Sequence, residues 1–179
     1  MHYIDQIFDK DEQNIHLKCA LISLKSGQIE KSLAELKSTL SRSPNHPQAL
    51  ILASDCFKYY GKEIESLGLI QKARAHNPQI TNLHLIEAEQ LKLLQRHDEA
   101  LHCLRLATTL HPNHLGLSWE LILQLQATQQ YSEALALFEQ NRELYRSLAD
   151  YKKVAVKLYE YNFQYGEALH EARSWYDES

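Results

Sequence analysis

Ten histidines in 179 residues raise the question of metal binding or acid–base catalysis. The segment His111-Pro112-Asn113-His114 offers two imidazole ligands, but no cysteine or acidic residue stands beside them, and structural zinc needs four ligands. His97-Asp98-Glu99 combines a base with two carboxylates, yet it lies where a helix is expected to begin, and acidic residues favour that end. The motifs His-Glu-x-x-His, Gly-x-Ser-x-Gly and Gly-x-x-x-x-Gly-Lys are absent from the sequence. We therefore expect no catalytic residue, no metal site, no cofactor and no enzymatic activity.

Composition narrows the class of partner. Nineteen basic against 23 acidic residues give a net charge of −4, and no basic run stands out, so neither nucleic acid nor an anionic membrane surface is an expected partner. No stretch approaches the roughly 20 apolar residues that a membrane span requires, and residues 1–9 do not resemble a secretory leader. The three cysteines, Cys19, Cys56 and Cys103, are odd in number and far apart, which is typical of reduced thiols. These features predict a cytoplasmic protein.

Three prolines reveal an internal repeat. Pro44, Pro78 and Pro112 lie 34 residues apart, and each follows a long stretch with helical periodicity. Proline lacks a backbone N–H and disfavours helix in the residue before it, so these positions predict helix ends. The period divides the chain into an N-terminal capping segment, 1–12, and a repeat array, 13–179, whose five registers are 13–46, 47–80, 81–114, 115–148 and 149–179.

Each register predicts a pair of antiparallel helices. Small residues recur at repeat position 20, which reads Ser32, Ser66, Ala100, Ala134 and Ala168, and position 8 begins with Ala20, Ser54 and Ala88. Small side chains at these two positions allow two helices to approach closely, while larger apolar residues beside them fill the space. A break recurs near position 15, at Gly27, Gly61, Gln95 and Gln129, and the glycines suit the left-handed conformation that closes a helix.

The combined pattern resembles the tetratricopeptide repeat family. The residues that carry the resemblance are Gly27 with Leu40 and Pro44, Gly61 with Ala73 and Pro78, Ala88 with Ala100, Ala107 and Pro112, and Ala134 with Phe138. Where the next proline is due the chain has Arg146, and Ser147-Leu148-Ala149-Asp150 offers a start similar to a capping box instead. The resemblance implies an all-α, right-handed superhelical solenoid of four to five repeats, whose first helices line a concave groove that binds extended peptides or helices.

Repeat positions 5, 9 and 12 predict the residues that face this groove. They read Leu17, Leu21 and Leu24, then Ile51, Asp55 and Lys58, then Leu85, Glu89 and Lys92, then Trp119, Leu123 and Gln126, and finally Lys153, Lys157 and Glu160. The groove is thus expected to be apolar at its floor, acidic in the middle and basic at its C-terminal end. The apolar residues at position 5 could either form the floor of the groove or pack between neighbouring first helices. Among them, Trp119 is the residue that we most expect to anchor a partner.

Both ends of the array carry further expectations. Ile4, Ile7 and Phe8 are spaced so that the capping segment would cover Leu17 and Leu21, and so fill part of the groove. At the other end, Trp175 and Tyr176 lie on the last helix, where no further helix is recognisable. Terminal repeats need a polar outer face to stay soluble. An apolar end predicts either self-association or intramolecular contact with a downstream segment.

The sequence favours a non-catalytic protein–protein interaction module, a scaffold or adaptor that binds a peptide or helix of a partner protein. One alternative is an N-terminal recruiting or regulatory arm of a larger enzyme, a transferase or hydroxylase. Another is a chaperone for a secreted or assembling client. Groove residues vary freely on one scaffold, so the partner's identity does not follow from the pattern.

Overall fold

The computed structural model of the protein describes residues 15–148 and 150–177. The predicted capping segment 1–12 lies outside these residues. Those described form eleven α-helices and no strand, as the repeat pattern predicts. The helices are α1 (Ile15–Lys25), α2 (Ile29–Arg42), α3 (Pro47–Tyr59), α4 (Glu63–His76), α5 (Thr81–Leu93), α6 (His97–Leu110), α7 (Leu115–Ala127), α8 (Tyr131–Gln140), α9 (Arg142–Tyr145), α10 (Tyr151–Tyr161) and α11 (Tyr165–Asp177).

A left-handed residue follows the first helix of each pair and turns the chain into the second. These residues are Gly27, Gly61, Gln95, Gln129 and Phe163, with φ values of 75°, 67°, 59°, 62° and 62°. In the first turn the Gln28 N–H donates to the Ser23 carbonyl at 2.8 Å, and the Gly27 N–H donates to the Leu24 carbonyl at 3.0 Å. This pair of bonds satisfies carbonyls that the helix end leaves open. The predicted breaks are confirmed, and Phe163 adds a fifth at the same spacing of 34 residues.

The prolines end the second helices as expected. α2, α4 and α6 stop at Arg42, His76 and Leu110, each two residues before its proline. In the fourth register, which has no proline, the chain forms the four-residue helix α9 instead. The expected capping box is wrong, because α10 begins at Tyr151 after Asp150, and Asp150 makes no side-chain cap hydrogen bond.

Small residues bring paired helices together, as their recurrence at positions 8 and 20 predicts. The Ser32 hydroxyl donates to the Ala20 carbonyl at 2.9 Å, which joins α2 to α1. In the next pair the hydroxyl oxygens of Ser54 and Ser66 lie 2.7 Å apart. All four residues are fully buried, so side chains larger than serine would force these helices apart.

The helices divide into two compact units, residues 1–94 and 95–179, a division that the repeat pattern does not predict. Unit 1 contains α1–α5 and unit 2 contains α6–α11. The dividing point falls inside the predicted third register, 81–114, and the register boundaries stay predictions. In unit 1, one apolar cluster joins α1, α2 and α3, and a second joins α3, α4 and α5. None of the described helices has the length and apolar character needed to cross a membrane.

Candidate partner-binding surface

In unit 1 the first helices α1, α3 and α5 are neighbours. Leu17 and Ala20 of α1 pack in one cluster with Ala49 and Leu52 of α3. The Gln90 side chain of α5 donates to the Ser54 hydroxyl of α3 at 3.0 Å. We call the outward faces of α1, α3 and α5 the first-helix surface of unit 1, and those of α7 and α10 the first-helix surface of unit 2.

Position 5 fills space between helices in the first two repeats. Leu17 is 2% exposed and Ile51 is 5% exposed, and each belongs to an apolar cluster. Their prediction as groove residues is corrected here: neighbouring helices cover both side chains, so a partner would not reach them. Leu85, at the same position in α5, is half-buried and stays at the surface.

Positions 9 and 12 provide the accessible part of the surface in unit 1. Leu21 and Leu24 are half-buried and pack with one side against the α1–α3 cluster. The Asp55 carboxylate lies 2.5 Å from the Lys58 ammonium, so this acid is already paired within its own helix. Glu89 is exposed, whereas Lys92 is half-buried. The acidic character expected in the middle of the surface therefore depends mainly on Glu89.

A buried ion pair joins α5, a first helix of unit 1, to the second helix α4. Glu87 of α5 is buried, and its carboxylate pairs with the Arg74 guanidinium of α4. The Gln71 side chain donates to the same carboxylate at 3.3 Å. Removal of one partner from such a pair costs about 3–5 kcal/mol, because a buried charge is left without compensation. The pair fixes the rotation of α5, and hence the direction in which Leu85 and Glu89 point.

In unit 2, Trp119 packs inward rather than outward. Its exposure is 9%, and its ring centroid lies 5.1 Å from that of Tyr145, which is fully buried. The expectation that Trp119 is an accessible anchor for a partner is therefore corrected: its ring packs from α7 against Tyr145 of α9. The physical reason is the short helix α9, which carries Tyr145 to the side of α7.

The first-helix surface of unit 2 has two exposed lysines on α10. The Gln126 side chain of α7 donates to the Val154 carbonyl of α10 at 3.4 Å, so this residue joins two first helices. Leu123 is half-buried beside it. Lys153 and Lys157 are exposed one helical turn apart, and Glu160 is exposed at the end of α10.

Structure comparisons identify this arrangement. No family model matches the sequence, and the search of curated proteins gives no match. The solved structure of MamA matches with a TM-score of 0.74 and 13% identity, over 91% of this chain and 89% of that one. YrrB, described as a TPR protein with an unusual peptide-binding site, matches with a TM-score of 0.69 and 21% identity, over 93% and 87%. This chain has the tetratricopeptide repeat fold. A further match, Naa15/Naa10 bound to HypK-THB, has a TM-score of 0.66 and 13% identity, over 92% of this chain and 25% of that one.

On this tetratricopeptide fold, unit 2 carries a polar cluster that sequence reasoning missed. Arg142 of α9 donates through Nε to the Tyr151 hydroxyl at 3.0 Å and pairs with the Glu171 carboxylate of α11. The hydrogen bond to Tyr151 is the main cause that raises the pKa of Arg142. The Tyr159 hydroxyl donates to Glu139, and burial, followed by this bond, raises the pKa of Tyr159. The concentration of tyrosines near the end of the sequence was the one sequence feature that pointed to this cluster. The bonded partners lie about 10 to 30 residues apart along the chain, so the sequence does not show which residues pair.

The last described helix presents apolar side chains outward. Trp175 is 47% exposed and Tyr176 is 85% exposed. Tyr165 and Leu169 are exposed on the same helix, and Phe163 is exposed in the turn before it. α11 thus exposes several large apolar side chains near the end of the described residues.

The residues that first suggested chemistry have structural roles. The His114 side chain accepts a hydrogen bond from the Leu117 N–H at 3.2 Å and so caps α7. Glu99, in the first turn of α6, receives two hydrogen bonds of 2.6 Å from Arg96. Among the described residues no group of three or more His, Cys, Asp or Glu side chains is arranged to hold a metal ion.

Proposed function

We propose that this protein is a non-catalytic interaction module that binds a peptide or helix of a partner protein on the first-helix surface of unit 1 or of unit 2. The observation that carries the proposal is that each unit has accessible residues on its own neighbouring first helices: Leu21, Leu24, Leu85 and Glu89 in unit 1, and Leu123, Lys153 and Lys157 in unit 2. A rigid surface binds an extended segment without first having to be ordered, which lowers the entropic cost of association.

Printed descriptions of two structural neighbours support this class of function. YrrB is described as having a peptide-binding site, and Naa15/Naa10 is described as bound to HypK-THB. We transfer to this chain only the general role of binding a protein segment. We also propose a cytoplasmic location, because three cysteines far apart in the sequence are typical of reduced thiols.

Charge predicts which segments bind. Asp55 is paired with Lys58, so Glu89 is the acid best placed to meet a basic residue of a segment bound to unit 1. Lys153 and Lys157 favour an acidic residue in a segment bound to unit 2. Complementary charges of this kind act mainly on specificity and association rate.

The test uses peptides selected from a display library on the intact protein. Basic peptides that bind unit 1 should lose about tenfold in affinity for Glu89→Lys, since like-charge contacts cost on the order of 1.4 kcal/mol. The matched control is Glu65→Lys, an exposed glutamate on the second helix α4, which should leave affinity unchanged. Acidic peptides should respond to Lys157→Glu in the same way. If neither Glu89→Lys nor Lys157→Glu changes the affinity of the selected peptides, the peptides bind elsewhere and the proposal is contradicted.

We also propose that the protein associates with a second copy through the apolar face of α11. Trp175 and Tyr176 are exposed there with Tyr165 and Leu169, and large apolar patches on a folded protein usually mark an interface. Light scattering over a concentration series should show a mass above that of the monomer. The double variant Trp175→Glu, Tyr176→Arg should restore the monomer, whereas Ile64→Glu, at a similarly exposed residue of α4, should not. A monomer for the unchanged protein at all concentrations would refute this proposal.

A further inference from the structure

Unit 1 contains an apolar groove between its second helices α2 and α4, and α3 contributes to its lining. Its volume is about 360 Å³. Most of the residues that line it are apolar: Leu33, Leu36, Leu40, Ala53, Phe57 and Leu69. The other two are Lys37 and Ser41. We call this site the α2–α4 groove, and none of its described lining residues belongs to the surfaces proposed above to bind a partner or a second copy.

The leucines of the groove are only partly covered by the fold. Leu33, Leu40 and Leu69 are half-buried and pack with one side against the apolar cluster of α1, α2 and α3. Phe57 is half-buried as well. Covering the remaining apolar area stabilises a complex by about 25 cal/mol for each Å² removed from water. The α2–α4 groove therefore favours an occupant with apolar side chains.

Lys37 gives the groove a positive charge. It is the one charged residue of the lining, it is exposed, and it makes no ion pair among the residues that the structure describes. On α4, Glu65 lies one helical turn before Leu69 and Lys72 lies one turn after it, and both are exposed. Two cations against one carboxylate leave an excess of positive charge, so an acidic occupant is the complementary one.

The capping segment 1–12 has this composition. Ile4, Ile7 and Phe8 have spacings of three and one, which place them on one face if the segment is helical. Four acidic residues against one lysine give the segment a net charge of −3: Asp5, Asp9, Asp11 and Glu12 against Lys10. An apolar stripe of this spacing is the pattern with which a helix binds an apolar groove.

The start of α1 is close enough to the α2–α4 groove for the segment to reach it. His16 of α1 and Glu35 of α2 are joined by a contact of 2.7 Å between Nδ1 and Oε2. The groove lies along another face of the same helix α2. The chain from Phe8 to Ile15 can span up to about 24 Å when extended. A helix with its side chains is only about 10–12 Å across, so this length suffices to cross α2.

We propose that the capping segment 1–12 occupies the α2–α4 groove of its own chain, where its apolar residues cover the half-buried leucines and its acidic residues face Lys37. The sequence pattern alone predicts contact with Leu17 and Leu21 instead. Leu17 is 2% exposed, because neighbouring helices already cover it, so only Leu21 could receive the segment there. Attachment to the same chain gives the segment an effective concentration in the millimolar range, which keeps even a weak contact occupied.

Fluorescence anisotropy with a labelled synthetic peptide of residues 1–12 tests the proposal on the full chain. The peptide should bind the Phe8→Asp protein at least about tenfold more tightly than the unchanged protein, since the chain's own segment no longer competes. When Leu40→Asp is added to Phe8→Asp, peptide binding should be lost. Ile22→Asp, at an exposed residue of α1 outside the groove, is the matched control and should leave binding unchanged.

A charge variant keeps the test decisive if Leu40→Asp disturbs folding. Added to Phe8→Asp, Lys37→Glu should weaken peptide binding about threefold, the size expected for one exposed charge. A peptide whose acidic residues are replaced by lysine should regain this affinity. Lys31→Glu changes an exposed lysine of the same helix that does not line the groove, and it should have no effect.

Three results would overturn the proposal. The first is a peptide that binds the unchanged and the Phe8→Asp proteins equally, or binds neither. The second is binding that is lost with Leu21→Asp but not with Leu40→Asp, which would place the segment on α1. The third is a mass in light scattering that falls to that of the monomer with Phe8→Asp, because the segment would then occupy the groove of a second copy.

Discussion

Replacing each of two glycines in unit 1 by alanine should change the free energy of unfolding in opposite directions, because Gly61 lies in a left-handed turn and Gly68 does not. Gly61 closes α3 with φ +67°, and a Cβ built there would meet nothing within 4 Å. The effect of Gly61→Ala therefore arises from the backbone alone. A left-handed conformation costs an L-residue about 1–2 kcal/mol. Alanine recovers about 0.4–1 kcal/mol of this by restricting the unfolded chain. We expect a net loss of about 1 kcal/mol in the free energy of unfolding.

Gly68 is the matched control, seven residues further along the same unit. It lies inside α4, is exposed, and a Cβ there would likewise meet nothing within 4 Å. Because its backbone is helical, Gly68→Ala should raise the free energy of unfolding by about 0.5–1 kcal/mol. The two variants make the same chemical change and should differ by roughly 2 kcal/mol.

Urea unfolding followed by far-ultraviolet circular dichroism measures both variants against the unchanged protein. A shift of the midpoint at constant slope reports stability rather than a change in the unfolded state. Gly61→Ala at or above the stability of the unchanged protein would contradict the left-handed turn at this position. A loss with Gly68→Ala would contradict the exposed helical position of that residue.

Three further expectations can be measured in the same way or by titration. Trp119→Ala should lower the free energy of unfolding by about 3–5 kcal/mol, because Trp119 is buried against Tyr145. Trp175→Ala, at a half-exposed residue, should lower it clearly less. Equal losses for the two variants would contradict the inward position of Trp119. Phe163→Gly should stabilise the protein by up to about 1 kcal/mol, since Phe163 is exposed with φ 62° and glycine adopts that conformation without strain. A destabilised variant would show that the Phe163 ring packs on the protein. The hydrogen bond between Tyr60 and Glu30 raises the pKa of Tyr60 to about 12 and lowers the pKa of Glu30. The bond should therefore be lost as pH rises through about 12, and also as pH falls through the lowered pKa of Glu30. Glu30→Gln should return the pKa of Tyr60 towards 10, which a titration followed by phenolate absorbance measures.

Local features of the tetratricopeptide fold could be predicted from the sequence. The spacing of Pro44, Pro78 and Pro112 predicts where second helices end, because proline acts on its own backbone and on the residue before it. The glycines at 27 and 61 predict the turns for the same kind of reason. The small residues Ser54 and Ser66 predict a close helix pair, because the pattern repeats with the helical period on both helices.

The candidate site depended on tertiary structure. Leu17 and Leu85 occupy the same repeat position, yet Leu17 is buried and Leu85 reaches the surface, because each has different neighbouring helices. Arg142 has a carboxylate partner only because α11 brings Glu171 to it from 29 residues away. Periodicity fixes which face of a helix a residue occupies, since that depends on backbone geometry alone. Whether that face is covered, and which charge meets it, depends on packing between helices that are distant along the chain.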